Sequence, residues 1–216
     1  MISNNFKQRV ITSIFLLLLL ILFLRFEIIL VYSLIIFGVL AQLEFFQILT
    51  KIIKNNLYLI ISCVSFSLYV FIFCLLFFIF YNFIHLKILL FTILLGCIGS
   101  DLGGYFFGKF FKGPKLTKIS PKKTFSGAVG SIFFTCLIIT STIFYFTKIF
   151  SFKLLIVGVI VSLACQLGDL LFSLLKRKAK MKDTGNFLPG HGGILDRVDG
   201  ILVGMPFGFL ILILIY

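Results

Sequence analysis

Apolar runs of about twenty residues recur along this chain, and nothing else in it constrains the fold as tightly. Such a run matches the length of a helix that crosses a bilayer. Hydrocarbon offers no partner to a peptide group, so each run must satisfy its own backbone hydrogen bonds and is expected to be helical. Of the 216 residues, 61% are hydrophobic, whereas a soluble domain is nearer to about half. No segment is left that is large enough to bury a soluble core of its own. The expected class is all-α: a polytopic transmembrane helical bundle of about seven spans, with a polar site on the cytoplasmic side.

The spans are placed at 10–24, 28–49, 57–80, 86–107, 128–146, 154–175 and 198–216. The first run lacks a small-residue cleavage site, so it reads as a retained span and not a removed signal. Only Arg25 and Glu27 separate it from the second. One long tilted helix there would leave six spans and invert the N-terminus. With seven spans, one face collects sixteen of the twenty Lys and Arg residues. These are Lys7, Arg9, Lys51, Lys54, the six lysines between 109 and 123, the five basic residues between 176 and 182, and Arg197. The other face holds Arg25, Lys87, Lys148 and Lys153. That bias makes the first face cytoplasmic, as in a multi-pass protein of the inner (plasma) membrane. Two regions follow. Residues 1–99 are N-terminal spans that show only hydrophobicity, and residues 100–216 carry two basic cytoplasmic loops and the polar constellation.

A net charge of +13 would suggest a nucleic-acid partner in a soluble protein. Here the charges lie in short loops between spans, where they set topology and face anionic lipid. Nucleic acid is therefore not an expected partner. Cys63, Cys74, Cys97, Cys136 and Cys165 all fall inside apolar runs and form no CxxC pair. They read as small apolar packing residues and not as a zinc site.

Against this background the stretch from Gly168 to Gly200 is anomalous. It holds four of the seven acids, Asp169, Asp183, Asp196 and Asp199, with His191 and the basic residues Lys176, Arg177, Lys178, Lys180 and Lys182. Charges between apolar helices are costly to insert and are not filler. In the span before it, Ser162, Gln166, Asp169 and Ser173 recur at intervals of four, three and four, which places them on one helical face. They line either a water-filled cavity or a hydrogen-bonded packing seam. Gly190, Gly192 and Gly193 flank His191 in a loop whose amides can approach an anion closely. His191 itself is a phosphate contact, a proton carrier or a loop hydrogen-bonder.

Two more features join this constellation. Asp101 lies near the end of the fourth span beside Ser100, either as a site residue or as an interfacial acid paired with a lysine such as Lys109. The loop after it, with six lysines and two prolines, is a phosphate-binding surface or a topological anchor. Asp196 and Asp199 lie one turn apart at the start of the last span. They serve there as helix-end acids or as metal ligands. Mg²⁺ takes oxygen donors, usually one or two carboxylates completed by substrate phosphates and water. Clustered carboxylates, lysines and a glycine loop on one face suit Mg²⁺-dependent phosphoryl or nucleotidyl transfer, which needs charge neutralisation and alignment more than covalent help.

The run Ser173, Lys176, Arg177, then Lys182-Asp183, then Leu188-Pro189-Gly190-His191-Gly192-Gly193, Leu195-Asp196-Arg197 and Asp199 resembles the signature of the phosphatidate cytidylyltransferases, also called CDP-diglyceride synthetases. Ser120-Pro121-Lys122-Lys123-Thr124 resembles a second element of that family, and Asp101, Tyr105 and Gly108 fit the element before it. The family usually carries an acid where this chain has Ser126. The chain also looks shorter than usual for the family, with spans lacking at its N-terminal side.

The resemblance implies that CTP enters from the cytoplasm and phosphatidic acid from the leaflet, giving CDP-diacylglycerol and pyrophosphate. It implies Mg²⁺ on Asp169 and Asp196, with Asp101 and Asp199 as secondary candidates. Lys122, Lys123, Lys176, Arg177 and Arg197 would neutralise phosphates, and Ser173 would orient a metal or phosphate oxygen. Ser120, Thr124, Lys182, His191, Gly192 and Gly193 complete the expected substrate contacts, and a homodimer is compatible with the family. A lipid-alcohol kinase or another CTP-using transferase would need the same electrostatics. A cation transporter would need polar residues at mid-depth and an exit on the far side, where this sequence is featureless.

Overall fold

The computed structural model describes residues 11–12, 14, 18–19, 21–23, 25–117, 119–121, 123–185, 187 and 192–215. Among them regular structure is all helical. The helices are α1 (Glu27–Ile52), α2 (Asn56–Asn82), α3 (Ile84–Phe111), α4 (Phe125–Thr147), α5 (Phe152–Lys178) and α6 (Leu195–Ile215). All six are long and apolar enough to cross a membrane. The chain is thus an all-α, polytopic integral membrane protein. Large apolar side chains such as Ile28, Tyr32, Leu57, Phe71 and Ile213 are exposed, as expected where the solvent is lipid.

The expected first span falls in part on residues outside the described set, Val10 and Leu24 included. Its described residues up to Arg25 are helical. Phe26 then turns extended, with φ −129° and ψ 109°. The first two apolar runs are therefore not one continuous helix.

The other helix ends have local causes. Asn55 Oδ1 accepts the Leu57 N–H at 2.9 Å and starts α2. Lys112 adopts a left-handed conformation at the end of α3 (φ 44°), and Gly113-Pro114 cannot continue the helix. Thr124 caps α4 by accepting the Gly127 N–H at 3.1 Å. After α5, Lys180 is left-handed (φ 55°). Met181 N–H donates to Lys176 O at 2.8 Å and Lys180 N–H to Arg177 O at 3.1 Å. This is a Schellman-type reversal, and it turns the chain sharply just beyond the basic run. α6 begins three residues earlier than its apolar run, at Leu195, so Asp196 and Arg197 belong to its first turn.

The chain divides into two compact units, Met1–Phe78 with Leu175–Arg197, and Ile79–Leu174 with Val198–Tyr216. In the first, α1 and α2 pack through a stacked Phe45–Phe66 pair with ring centroids 3.8 Å apart. Gln42 Nε2 donates to Cys63 O at 3.2 Å. In the second, α3 and α4 meet along small residues. A side chain on Gly127 would lie 2.8 Å from Gly104 O. Ser131 donates to Ser100 O at 2.7 Å, and Thr135 to Gly96 O at 3.3 Å. Small residues let backbones approach where no hydrophobic force drives helices together. Gly208 of α6 brings the same closeness to Ile93 and Val161, at 2.9 Å each.

Candidate active site

In the first unit the site is built on Asp196. Its Oδ1 accepts a hydrogen bond from Lys176 Nζ at 2.6 Å. The lysine side chain is 13% exposed and the carboxylate 7%. Its Oδ2 accepts the Thr184 N–H at 2.7 Å and the Gly193 N–H at 3.1 Å. Gly193 precedes Asp196 by three positions, so the acid reaches back over its own helix start, as a capping box does. Lys176 comes from the last turn of α5, where a cation also complements the helix dipole.

Beneath this lies a carboxylate that the sequence reading passed over. Glu44 of α1 is fully buried. Its Oε2 accepts from Thr184 Oγ1 at 2.7 Å and from Leu195 N–H at 2.9 Å, and its Oε1 accepts from Ile194 N–H at 2.8 Å. Two glycines close over it. A side chain on Gly185 would come within 2.8 Å of Oε1. One on Gly193 would come within 2.7 Å of the same atom and run into Thr184 Oγ1. Gly192 has φ +84°, a left-handed conformation that favours glycine. Gly185 and Gly193 thus lie against Glu44, and the Gly193 amide is engaged by Asp196. A lone acid inside an apolar run was the available signal for Glu44, because such an acid must find partners. Thr184 offered none.

Around this core, Arg177, Lys178, Lys180, Lys182, Asp183 and Arg197 are exposed. His191, with Leu188, Pro189 and Gly190, lies outside the described residues, as does Lys122.

In the second unit the counterpart is Asp169. Lys123 Nζ donates to its Oδ2 at 2.6 Å, with the two side chains 28% and 20% exposed. Gly200 leaves room for this carboxylate, since a side chain there would lie 2.9 Å from Oδ1. Backbone hydrogen bonds of its described neighbours position Lys123. Leu116 N–H donates to Lys123 O at 2.8 Å, Lys123 N–H to Ser120 O at 3.0 Å, and Phe125 N–H to Pro114 O at 3.0 Å. Ser126 accepts the Gly113 N–H at 3.2 Å and lies 3.0 Å from the Thr124 hydroxyl. Ser126 thus ties Gly113 at the end of α3 to Thr124 at the start of α4. Thr124, expected at substrate, is occupied as the α4 cap.

The polar stripe on α5 resolves into two parts. Ser162 is fully buried, 3.3 Å from Ser100 Oγ. Gln166 donates to Ala128 O at 3.3 Å and to Ser162 Oγ at 3.2 Å. Of the two readings of the stripe, these two residues form the packing seam and not a cavity wall, because buried polar groups in hydrocarbon must satisfy one another. Asp169 sits with Lys123, and Ser173 is half-buried. Asp101 is exposed on α3, and Asp199 is half-buried with Oδ1 3.0 Å from the following amide.

No group of three His, Cys, Asp or Glu among the described residues could hold a metal ion. An all-protein cage is therefore not formed by them. Hard carboxylate oxygens offered singly do fit Mg²⁺, which relies on substrate phosphates and water for the remaining positions.

A family model described as the cytidylyltransferase family matches residues 1–215. Several curated proteins are also similar. A phosphatidate cytidylyltransferase of Mycobacterium bovis is 41% identical over 128 residues, covering 58% of this chain and 41% of that protein. One of Bacillus subtilis is 44% identical over 119 residues, covering 53% and 44%. One of Rickettsia felis is 45% identical over 118 residues, covering 50% and 51%. The chain spans about half, or less, of the length of these relatives. With the match running over nearly every residue from first to last, the chain belongs to the cytidylyltransferase family.

Proposed function

We propose that this chain transfers a cytidylyl group from CTP to phosphatidic acid, giving CDP-diacylglycerol and pyrophosphate, at the cytoplasmic face of the plasma membrane. The observation that carries this reading is the pair of aspartates, Asp169 and Asp196, each held by a lysine ammonium at 2.6 Å. A carboxylate already holding a cation is preset for a metal–nucleotide. The lysine it releases is then free for a phosphate oxygen. The relatives' names supply the substrates, and sixteen of twenty basic residues on one side of the expected spans supply the orientation.

In this reading an oxygen of the lipid phosphate attacks the α-phosphorus of CTP. One P–O bond forms, the bond to the β-phosphate breaks, and pyrophosphate leaves with the electron pair. No serine or cysteine nucleophile is needed. Lys123 and Lys176, with exposed Arg177, Lys182 and Arg197, neutralise and align the phosphates. Asp169 and Asp196 would hold Mg²⁺, which when bound supplies further charge neutralisation at the phosphates. Asp101 and Asp199 are secondary candidates, and Ser173, Ser120, Lys122, His191 and Gly192 are assigned to substrate by position alone.

Purified protein in detergent, given phosphatidic acid, Mg²⁺ and radiolabelled CTP, should yield labelled lipid and pyrophosphate. Asp196→Asn and Asp169→Asn should each abolish the product with insertion unchanged. Normal turnover in both variants would overturn the metal assignment. Equal use of ATP would move the reading to a lipid-alcohol kinase.

A further inference from the structure

Glu44 is a buried carboxylate 140 residues from Thr184 and 151 from Leu195, yet it accepts hydrogen bonds from both. Among the described residues no Lys or Arg is paired with it. A buried charge without a counter-ion persists only when hydrogen bonds replace its hydration. Here the donors are two backbone amides at the start of α6 and one hydroxyl. All three belong to the segment that carries Gly192, Gly193 and Asp196.

We propose that Glu44 is a positioning residue for the nucleotide end of the reaction, fixing Thr184 and the start of α6, and with them Asp196, from the apolar helix α1. Thr184 links the two acids. Its single hydroxyl proton has Glu44 Oε2 at 2.7 Å and Asp196 Oδ2 at 3.1 Å, and the shorter contact assigns it to Glu44. Asp196 Oδ2 then keeps only the two backbone donors that aim it. Glu44 also fills the anion position at the α6 N-terminus, so the first turn holding Asp196 starts from a fixed point. Gly185 and Gly193 lie against the carboxylate because any larger residue would displace it. Glu44 touches no reacting atom. It acts through Asp196 and the glycine loop, as the outer partners of a metal site do, whose loss costs about 10–100-fold in affinity or activity.

This inference rests on the cytidylyltransferase reading, and two measurements keep them apart. In Glu44→Gln the carboxamide can accept from one amide but turns an N–H₂ toward another donor. Amide hydrogen exchange at Ile194 and Leu195 should accelerate at least about tenfold, while exchange in the middle of α2 stays unchanged. In turnover assays the half-saturating CTP and Mg²⁺ concentrations should rise about tenfold or more, with the KM for phosphatidic acid unchanged. Thr184→Val, which removes one donor and leaves the carboxylate, should move the same quantities less. A fall in kcat with both KM values unchanged would mean that Glu44 only supports folding, and would overturn the proposal. So would unaltered exchange in both variants. An inactive wild-type enzyme would sink the functional reading, and the exchange experiment would still decide the clamp.

Discussion

Lys176 Nζ lies 2.6 Å from Asp196 Oδ1, and both side chains are nearly closed off from the surroundings. The ammonium sits at the end of α5 and the carboxylate in the first turn of α6. Between them the chain reverses sharply at Lys180 and Met181, and Gly193 lies just before α6. The ion pair therefore ties the end of α5 to the start of α6 as well as placing a cation beside a proposed metal ligand.

Breaking this pair from one side should be costly. Lys176→Met leaves Asp196 buried without its cation and is expected to destabilise the protein by about 3–5 kcal/mol. Replacing both residues by apolar ones of similar volume should recover much of that loss, while activity stays absent. Thermal unfolding in detergent of the two single variants and the double variant measures the coupling.

The Lys123–Asp169 pair is more open, 28% and 20% exposed, and should behave differently. Asp169→Asn is expected to cost only about 1 kcal/mol of stability, as partly exposed pairs do, yet to reduce turnover by at least about a hundredfold. Parallel unfolding curves and initial rates separate the two effects. A stability loss as large as that of Lys176→Met would show that Asp169 is chiefly structural.

Two glycines give a contrast within one unit. At Gly193 an added methyl would collide with Thr184 Oγ1 and lie 2.7 Å from Glu44 Oε1. Gly193→Ala should therefore destabilise by about 1–3 kcal/mol and impair CTP use. At Gly38 the nearest atom would be Val70 Cγ1 at 3.8 Å, an ordinary contact. Gly38→Ala should change stability by no more than about 1 kcal/mol, in the favourable direction, and leave CTP use intact.

Removal of divalent cations should stop catalysis without unfolding the chain. Both aspartates already have lysine partners, so the fold has no need of an ion to offset their charge. A chelator is expected to abolish product formation and leave the far-ultraviolet circular dichroism unchanged. Restored activity on adding Mg²⁺, with no change in helical signal, completes the test.

The helices were legible in the sequence because hydropathy is a local property. Nearly every helix end runs one to four residues beyond the expected span, since turns and caps extend the helices past the apolar core. α6 starts early for a specific reason: Asp196 reaches back to the Gly193 amide, so its first turn is polar. The paired roles of Lys176 and Lys123 were not legible. Proximity in sequence points Lys176 to Asp169 and Asp183 as readily as to Asp196. The α5 stripe was legible as a face, but its division into a packing seam at Ser162 and Gln166 and a charged end at Asp169 depended on which helices lie against it.

By itself the sequence determined the class of molecule and the set of residues rich enough in charge to do chemistry, and its motifs carried the family resemblance. The first two follow from composition and spacing along the chain. Only the tertiary structure decided which acid meets which donor. Glu44 lies in an apolar helix far along the chain from Thr184, Ile194 and Leu195. A buried carboxylate is tolerable only where folding brings such donors to it, and no local pattern records that meeting.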